Sequence, residues 1–527
     1  EDFEKVFSPN ATKTEAVINT IKYFEARDRL VELAQKAQSQ IPEIDWSSVG
    51  DPSSDEAVFD RPRIVVLRSA PLIYRDANGK ARPIDVLDFA TERDALNKSF
   101  DEAKRAVAIQ YGIATTDAAQ TALTLGCRVL HYSGHGHPDF LAFENQRGEA
   151  QPVSPEMLKA MMGENSETKL VFVSACHSER AARAFVDAGA PHVVGVRTET
   201  TVLDNAARIF ARAFYLAALA GKTIRRSFDA GKTAVLTDPD LQGWGANEEE
   251  RDKFVLLPED QPHDDILCAN WPRGNPLYLA PSDPPVRGMF LSRPENFTGR
   301  NADMQAVMSL ILSGHMTTLR GAAGIGKTAL SIETAYYMNE RGLFKDGCAF
   351  VSLRGAITAD TARANLAEAL GVRAENAAQL KAHLQGKQIL IVFDNCEDLY
   401  ASDVTGFRSF LQTMLSAGDV KVLLTSRIAM GNLQGIKEQV YDVLRLPPRE
   451  AAEFFLKFIP QNGIARVKNE LGAVSHADLL QKLERHEAMR YLGGHPQAMA
   501  LIASFLGDKT LAEVSAVPAA VTVIPID

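Results

Sequence analysis

The most constraining feature of the sequence is a glycine-rich segment, GAAGIGKT, at residues 321–328. It fits the pattern G-x-x-x-x-G-K-[ST] and lies between an apolar stretch at 316–319 and a helix-like run at 329–338. A strand, a glycine-rich turn and a helix N-terminus in this order present backbone N–H groups and a partial positive charge that together bind phosphate. The segment therefore predicts a parallel α/β unit with a phosphate site.

Each residue type in this segment has a separate task at a nucleotide phosphate. Gly321, Gly324 and Gly326 let the backbone wrap the β-phosphate. Lys327 is predicted to reach the β- and γ-phosphate oxygens, and Thr328 to bind Mg²⁺. The predicted ligand is therefore a nucleotide with its magnesium ion.

Two later strands end in side chains suited to the same ligand. ILIVFDN, at 389–395, ends with Asp394, which is predicted to hold the hydration shell of Mg²⁺. VLLTSR, at 422–427, ends with Arg427, which is predicted to sense the γ-phosphate, although an arginine in an exposed turn fits the same pattern. Asn395 occupies a position where enzymes built for turnover usually carry a second acid, so hydrolysis is predicted to be slow, to depend on Glu397 or not to occur.

The first half of the chain also alternates short apolar strands with helical runs, which is typical of a mostly parallel sheet. A stretch rich in Pro, Asp and Gly at 238–293 indicates a domain boundary, with Phe254–Leu257 as a candidate edge strand. The predicted strands are 64–68, 127–132, 168–174 and 192–196 in the first half, and 316–319, 348–352, 388–393 and 421–425 in the second.

A histidine and a cysteine follow two of the predicted first-half strands. His135 lies in LHYSGHG (130–136), and Cys176 lies in FVSACHS (172–178), just before a helix whose dipole favours the thiolate. Side chains at the carboxyl ends of strands in an open α/β sheet gather at one edge. A thiolate paired with an imidazole can attack a carbonyl, and the N–H groups of Gly136 and Cys176 are predicted to form the oxyanion hole.

Other interpretations of these residues stay open. His131 is predicted to be a core histidine, His137 is a second rival to His135, and Cys176 taken alone fits a buried core thiol. Asp139 and Glu144 are suited to line a pocket for a basic residue, but solvated loop charges are the preferred interpretation. The remaining cysteines are predicted to be inert: Cys127, Cys268, Cys348 and Cys396.

These motifs resemble two known families. The His135–Gly136 and Cys176 segments resemble the CHAT domain, in the caspase–haemoglobinase fold of clan CD cysteine peptidases, over about 61–240. Residues of about 290–510 resemble an NB-ARC-type NTPase of the STAND class, with FTGR (297–300), LPP (446–448) and GGHPQAMALIA (493–503) as its further motifs. The second resemblance implies a switch between ADP and ATP states, with Pro496 contacting the base.

The expected fold class is α/β: a caspase–haemoglobinase-like sheet domain, a P-loop NTPase with a doubly wound parallel sheet, and a small helical domain. The chain is predicted to divide into a helical lead-in and linker (1–60), a CHAT caspase-like peptidase domain (61–240), a linker (241–292), an NB-ARC-type nucleotide-binding domain (293–445), a helical domain (446–510) and a truncated tail (511–527).

Composition narrows the functional classes. A net charge of −10 argues against nucleic acid as the partner, since phosphate-backbone binders usually carry a basic surface. Five scattered cysteines without a C-x-x-C pair fit a reducing, cytoplasmic location, and no apolar run is long enough to span a membrane.

The functional hypothesis is a nucleotide-switched cysteine endopeptidase of a signalling or defence protein. ATP-dependent homo-oligomerisation would activate the peptidase to cleave a protein substrate in immunity or regulated cell death. The trigger would be sensed by a C-terminal region that the chain lacks. The alternative is an ATP-dependent scaffold whose CHAT domain binds peptide but is catalytically inactive. A housekeeping ATPase with fast turnover is disfavoured by Asn395.

Overall fold

The computed structural model describes residues 61–85, 87–163, 167–197, 202–243, 247–279, 285–288, 293–294 and 296–515. The predicted lead-in at 1–60 and the last residues of the predicted tail, 516–527, lie outside this part of the chain. Two separate, largely parallel sheets with helices packed on them form its framework, which confirms the predicted α/β class.

The first sheet has seven strands in the order β11–β10–β9–β5–β1–β4–β12, all parallel to their neighbours except β11. A small antiparallel sheet, β6–β7–β8, follows the carboxyl end of β5. The strands are β1 (Arg63–Arg68), β2 (Ile73–Arg75), β3 (Ala81–Pro83), β4 (Ala108–Ile113), β5 (Val129–Ser133), β6 (Gly136–His137), β7 (Phe140–Glu144), β8 (Ala150–Val153), β9 (Leu170–Ser174), β10 (His192–Val196), β11 (Phe254–Leu257) and β12 (Leu277–Leu279).

Helices cover both faces of the first sheet. Alternate residues of β1 show why: Ile64 and Val66 pack into one buried cluster, and Val65 and Leu67 into another. The helices are α1 (Phe89–Ala103), α2 (Thr116–Thr124), α3 (Pro155–Met162), α4 (Glu179–Asp187), α5 (Asp204–Leu219), α6 (Ile224–Thr237), α7 (Pro239–Gly243) and α8 (Asn247–Asp252).

Part of the segment predicted as a linker, 241–292, forms strands of the first sheet. Strand β11 pairs antiparallel with β10, as expected for an edge strand, and β12 pairs with β4 at the opposite edge. The candidate edge strand at Phe254–Leu257 is present, whereas β12 was not anticipated, because Pro, Asp and Gly are enriched in the turns around these short strands and the turn signal outweighs that of the strands.

The second sheet is entirely parallel, in the order β13–β15–β16–β17–β14–β18. Its strands are β13 (Val286–Gly288), β14 (Met316–Arg320), β15 (Cys348–Ser352), β16 (Ile389–Asp394), β17 (Val420–Ser426) and β18 (Glu438–Asp442). The helices around it are α9 (Asn301–Ser313), α10 (Lys327–Glu340), α11 (Ala359–Leu370), α12 (Ala377–Leu384), α13 (Glu397–Ser402) and α14 (Val404–Leu415).

After β18 the described chain is helical. These helices enclose their own apolar core around Phe455, Leu483 and Met499. They are α15 (Pro448–Phe458), α16 (Gln461–Glu470), α17 (His476–Arg485), α18 (Glu487–Leu492), α19 (Pro496–Ser504) and α20 (Leu511–Ser515). Within the described residues, every helix is too short or too polar to traverse a bilayer.

Candidate functional site

The loops that carry His135 and Cys176 follow two neighbouring strands. Strands β5 and β9 run parallel, with Ser133 opposite Ser174 at their carboxyl ends. The N–H of Gly134 donates to the carbonyl of Ser174 over 3.1 Å, so hydrogen bonding continues beyond the strands into the loops. The structure therefore brings the predicted histidine and cysteine to one rim of the first sheet.

Gly136 explains how closely the two loops approach each other. A Cβ at this position would meet the carbonyl oxygen of Cys176 well inside van der Waals contact, and it would lie 3.2 Å from Cβ of Ala175. Only a residue without a side chain fits here. The glycine after His135 is therefore required by close backbone packing against the loop of Cys176.

His135 and Cys176 line one narrow cleft of about 90 Å³. Its wall also contains three carboxylates, Asp88, Glu92 and Asp204, together with Arg208. Burial raises the pKa of Asp204, and the nearby Glu92 and Asp88 carboxylates raise it further. The cleft therefore combines a thiol, an imidazole and a predominantly acidic wall.

Cys176 is the least enclosed cysteine of the chain, since it is half-buried while the other four are buried. Its Sγ accepts a hydrogen bond from the N–H of Val202 over 3.4 Å. Burial raises the pKa of the Cys176 thiol above its usual range, although the contact with Val202 acts in the opposite direction. The raised pKa is opposite in direction to the effect predicted for the N-terminus of α4, and burial of the sulfur is its largest cause.

His135 is held by a backbone contact on the other side of the cleft. Its Nε2 lies 2.8 Å from the carbonyl oxygen of Asp85, and because a carbonyl only accepts, Nε2 carries the proton. In the neutral ring Nδ1 is then the basic nitrogen. Among the described residues no hydrogen bond links His135 to Cys176.

The rival histidines have other surroundings. His131 is fully buried on β5, stacks on Phe172 with ring centroids 4.9 Å apart, and lies 3.1 Å from the Tyr215 hydroxyl through Nδ1. The prediction of a core histidine is confirmed. His137 is exposed, stacks on Phe140 and accepts a hydrogen bond from the N–H of Asp139.

The two acidic residues after His135, Asp139 and Glu144, differ sharply in their exposure to solvent. Asp139 is exposed and pairs with Arg180, as expected for a solvated loop charge. Glu144 contradicts that expectation: it is 1% exposed, ends strand β7 and binds Arg341, whose guanidinium Nε lies 2.8 Å away. The partner comes from the second half of the chain, so nothing near Glu144 in the sequence indicated its burial.

At the rim of the second sheet, the phosphate loop (321–328) has the backbone conformation that the motif predicts. Gly324 and Gly326 adopt positive φ angles of 68° and 99°, and Gly326 directly precedes α10. The Lys327 ammonium donates to the carbonyls of Gly321 and Ala322 over 2.9 and 3.0 Å, so it folds back over the loop. Burial lowers the pKa of Lys327. These residues fit a nucleotide phosphate, since a lysine lies over a turn of glycines at a helix N-terminus.

The two predicted magnesium residues lie side by side. The Thr328 hydroxyl donates to Oδ1 of Asp394 over 2.8 Å, and the Thr425 hydroxyl donates to the same oxygen over 2.5 Å. Asp394 is 5% exposed. A buried carboxylate next to a threonine hydroxyl is an oxygen pair of the kind that Mg²⁺ prefers. Thr425 is a further residue of this cluster, and the sequence analysis did not identify it.

Asn395 has a left-handed backbone with a φ of 61°, and its N–H donates to the Thr425 hydroxyl over 3.0 Å. Asparagine tolerates this conformation better than most residues. Arg427 is exposed and lies 3.4 Å from Oε1 of Glu397 through its Nε. The acid and the arginine therefore pair with each other next to the phosphate loop.

The start of α19 packs on the phosphate loop. Pro496 is the first residue of this helix and would touch a Cβ at Gly326 at 4.0 Å. Its neighbours make the stronger contacts: His495 lies 3.1 Å from the carbonyl of Ala323, and the N–H of Gln497 donates to Gly324 over 3.3 Å. In the sequence, only the motif around Pro496 indicated that His495 and Gln497 lie near the phosphate loop.

The protein thus has a thiol–imidazole cleft at the rim of one α/β sheet and a phosphate loop at the rim of another. Residues 14–282 match the profile of the CHAT domain family. This is just over half of the chain, and the chain belongs to the CHAT domain family. The match begins in the part of the chain that the structure does not describe and extends through β12.

Two curated relatives carry the name Regulatory protein AfsR. The protein from Streptomyces griseus is 28% identical over 235 residues, and that from Streptomyces coelicolor (strain ATCC BAA-471 / A3(2) / M145) is 27% identical over 238 residues. Each alignment covers 41% of this chain, and the chain spans 23% of the length of each relative.

Similar solved structures include a STAND protein with a tetratricopeptide repeat sensor, PH0952 from Pyrococcus horikoshii, at 16% identity and a TM-score of 0.24 over 45% of this chain and 33% of that one. Drosophila ORC bound to DNA is 17% identical, with a TM-score of 0.31 over 41% of this chain and 63% of that one. These superpositions are partial, and the α/β class rests on the two sheets themselves.

Proposed function

We propose that this CHAT protein is a nucleotide-switched cysteine endopeptidase of the STAND signalling class, with caspase-like chemistry at Cys176 and His135. The observation that carries the proposal is the shared rim: two neighbouring strands end in loops that deliver both side chains into one cleft. Cys176 is also the only cysteine of the chain that is not fully buried, as expected for a nucleophile that must reach a substrate.

In the proposed reaction His135 takes the proton from Sγ of Cys176, and the thiolate attacks the carbonyl carbon of the scissile peptide bond. His135 then gives this proton to the leaving amine as the C–N bond breaks, which leaves a thioester on Cys176. Water hydrolyses the thioester and regenerates the thiol. The N–H groups of Gly136 and Cys176 are proposed to stabilise the oxyanion.

The nucleotide half of the proposal depends on the phosphate loop. Gly321, Gly324 and Gly326 are proposed to enclose phosphate, with Lys327 on its oxygens, Arg427 as the γ-phosphate sensor and Pro496 against the base. Thr328 and Asp394 are proposed to hold Mg²⁺, which would neutralise phosphate charge. Their mutual hydrogen bond supports this assignment.

Regulation is supported by the state of the cleft. Burial raises the pKa of the Cys176 thiol, which disfavours the thiolate, and His135 is bonded to the carbonyl of Asp85 instead of Cys176. We propose that exchange of ADP for ATP promotes homo-oligomerisation, and that assembly realigns the two side chains. A trigger acting on a further C-terminal region would start this sequence, and a protein substrate in defence or cell death would be its target.

Peptidase chemistry is tested with peptide acyloxymethyl ketones, which alkylate catalytic cysteines, in the presence of Mg²⁺ and either ATP or ADP. We expect labelling of Cys176, faster for probes with a basic residue beside the electrophile because Asp88, Glu92 and Asp204 line the cleft. Cys176→Ala should abolish labelling, and His135→Ala should slow it by about 10²–10⁴-fold. Cys127→Ala is the matched control, since Cys127 is buried in an apolar cluster with residues of β5 and β9.

A second candidate function is an ATP-dependent scaffold whose CHAT domain binds peptide without chemistry. The separation of His135 from Cys176 by their own backbone partners favours it. The two candidates differ in one outcome: a scaffold binds the peptide part of the probe, but its labelling is no faster than that of an unstructured thiol and does not depend on His135.

A further inference from the structure

The phosphate loop and the cleft are joined by one helix. Helix α10 begins with Lys327 at the phosphate loop, and just beyond its far end Arg341 reaches into the first half of the chain. Fourteen residues of helix span about 20 Å. The same junction contains apolar contacts, because Leu72 and Ile73 lie in a buried cluster with residues of α9 and α10.

The centre of the junction is a buried ion pair between Arg341 and Glu144. Nε of Arg341 lies 2.8 Å from Oε2 of Glu144, and their side chains are 7% and 1% exposed. The Tyr337 hydroxyl lies 3.2 Å from the same carboxylate oxygen, and the Arg341 guanidinium stacks on the Tyr337 ring at 3.2 Å. The other carboxylate oxygen accepts the N–H of Ala70. Both oxygens of Glu144 are thus occupied.

Glu144 is connected to His135 through strand β7. Glu144 is the last residue of this strand, and two residues earlier the N–H of Ala142 donates to the carbonyl of His135 over 3.0 Å. The Tyr132 hydroxyl lies 2.7 Å from the Ala142 carbonyl and 3.1 Å from that of His135. The segment from His135 through β6 and β7, here called the His135 hairpin (135–144), is therefore fixed at both ends.

A second connection runs through Ala70. Its carbonyl accepts from Arg341 over 3.3 Å, and the preceding residue, Ser69, donates its N–H to the carbonyl of Ser133 over 2.8 Å and its hydroxyl to the carbonyl of Ala142. Ser133 is the last residue of β5, directly before the loop of His135. The C-terminal end of α10 is therefore linked by hydrogen bonds to the backbone on both sides of the histidine.

The pair constrains geometry because it is buried. Removing one charge of a buried, hydrogen-bonded pair leaves the other desolvated and unpaired, so neither partner can move away alone at low cost. The pair of Arg68 with Glu340 at the same junction is only partly buried, with side chains 32% and 21% exposed, so water screens it more and it constrains the geometry less. Movement of α10 would thus be passed to the His135 hairpin through Arg341 and Glu144.

We propose that Arg341 and Glu144 are positioning residues that couple the nucleotide state of the phosphate loop to the placement of His135. The inference rests on the nucleotide site of the proposed function, and it specifies how that site regulates the cleft. Binding at the N-terminus of α10 shifts the helix, and the buried pair transfers this shift to β7 and to the carbonyl of His135.

The test is hydrogen–deuterium exchange of the full chain, with nucleotide affinity measured in parallel by a fluorescent ATP analogue. On saturation with ATP and Mg²⁺, amide exchange in 135–144 is expected to change by about fivefold or more. In Arg341→Gln this response should disappear while nucleotide affinity stays within about twofold, because Arg341 lies far from the phosphate loop. Arg68→Gln, the matched control, should retain the response.

Glu144→Gln keeps the shape of the side chain and serves as the second variant if Arg341→Gln does not fold. A wild-type chain that binds nucleotide without any change in 135–144 would overturn the inference, as would a variant that keeps the full response. Failure of the wild-type chain to bind nucleotide would overturn both this inference and the nucleotide part of the proposed function. A response in 135–144 without any peptidase chemistry would leave the coupling intact and remove only the peptidase.

Discussion

The rims of the two sheets differ in how far their functional side chains are already connected. At the second sheet, Thr328, Asp394 and Thr425 are joined by short hydrogen bonds, and Lys327 lies over the loop that it would serve. At the first sheet, Cys176 and His135 share a cleft, yet each is bonded to backbone elsewhere. The side chains at the phosphate loop are therefore already bonded to one another, whereas no hydrogen bond between described residues joins Cys176 to His135.

The largest expected effect concerns the phosphate loop at the rim of the second sheet. Lys327→Ala removes the ammonium that is proposed to meet phosphate oxygens, and nucleotide affinity should fall about 100-fold, or ~3 kcal/mol. Isothermal titration with ATP and Mg²⁺ measures this loss. Lys345→Ala, which changes an exposed lysine beyond the far end of the same helix, is the control and should bind normally. Equal affinity in both variants would contradict the assignment of the phosphate site.

The rim of the first sheet is tested by placing a methyl group between the loops of His135 and Cys176. Gly136→Ala places a methyl group against the carbonyl of Cys176, so the loops must separate and the protein should lose about 1–3 kcal/mol of stability. Urea unfolding followed by tryptophan fluorescence measures the change. The control is Gly112→Ala on β4, where the nearest atom is the flexible end of Leu67 at 3.2 Å. A neutral Gly136→Ala would mean that the two loops are not packed as described.

The pH dependence of Cys176 sharpens the comparison further. Because burial raises its pKa, the thiolate forms only as pH rises above the ordinary range for cysteine, and alkylation by iodoacetamide should fall about tenfold for each unit below that point. The proton is bound more tightly by the folded than by the unfolded chain, so this contribution to stability is present at neutral pH and is lost as pH rises through the raised pKa. Peptide mapping after alkylation, with urea-unfolded chain as the control, gives the profile; coincident folded and unfolded profiles would refute the prediction.

The smallest expected effect is at Arg427. Arg427 is itself exposed and lies 3.4 Å from Glu397, so Arg427→Ala should change the free energy of unfolding by less than about 1 kcal/mol. If the arginine senses the γ-phosphate, affinity for ATP should fall while affinity for ADP stays constant. Parallel titrations with both nucleotides measure this difference, and an equal fall for both would show that Arg427 does not distinguish them.

Sequence reasoning succeeded where local pattern and local chemistry coincide. The phosphate loop, the strand ending in Asp394 and the placement of His135 and Cys176 at one edge of the sheet follow from short apolar runs that end in glycine or a polar residue. It failed where the decisive partner is distant in sequence. Nothing around Glu144 indicates that Arg341 will bury it, and nothing around Cys176 indicates that the N–H of Val202, 26 residues later, will bond its sulfur.

The edge strands of the first sheet have a practical consequence. Because β11 and β12 come from 254–279, a fragment that stops at residue 240 would leave the outer hydrogen-bonding groups of β10 and β4 without partners. Unpaired strands of this kind recruit other chains and aggregate. We therefore expect that a soluble fragment of the CHAT half must extend at least through Leu279, which agrees with the reach of the family match to residue 282.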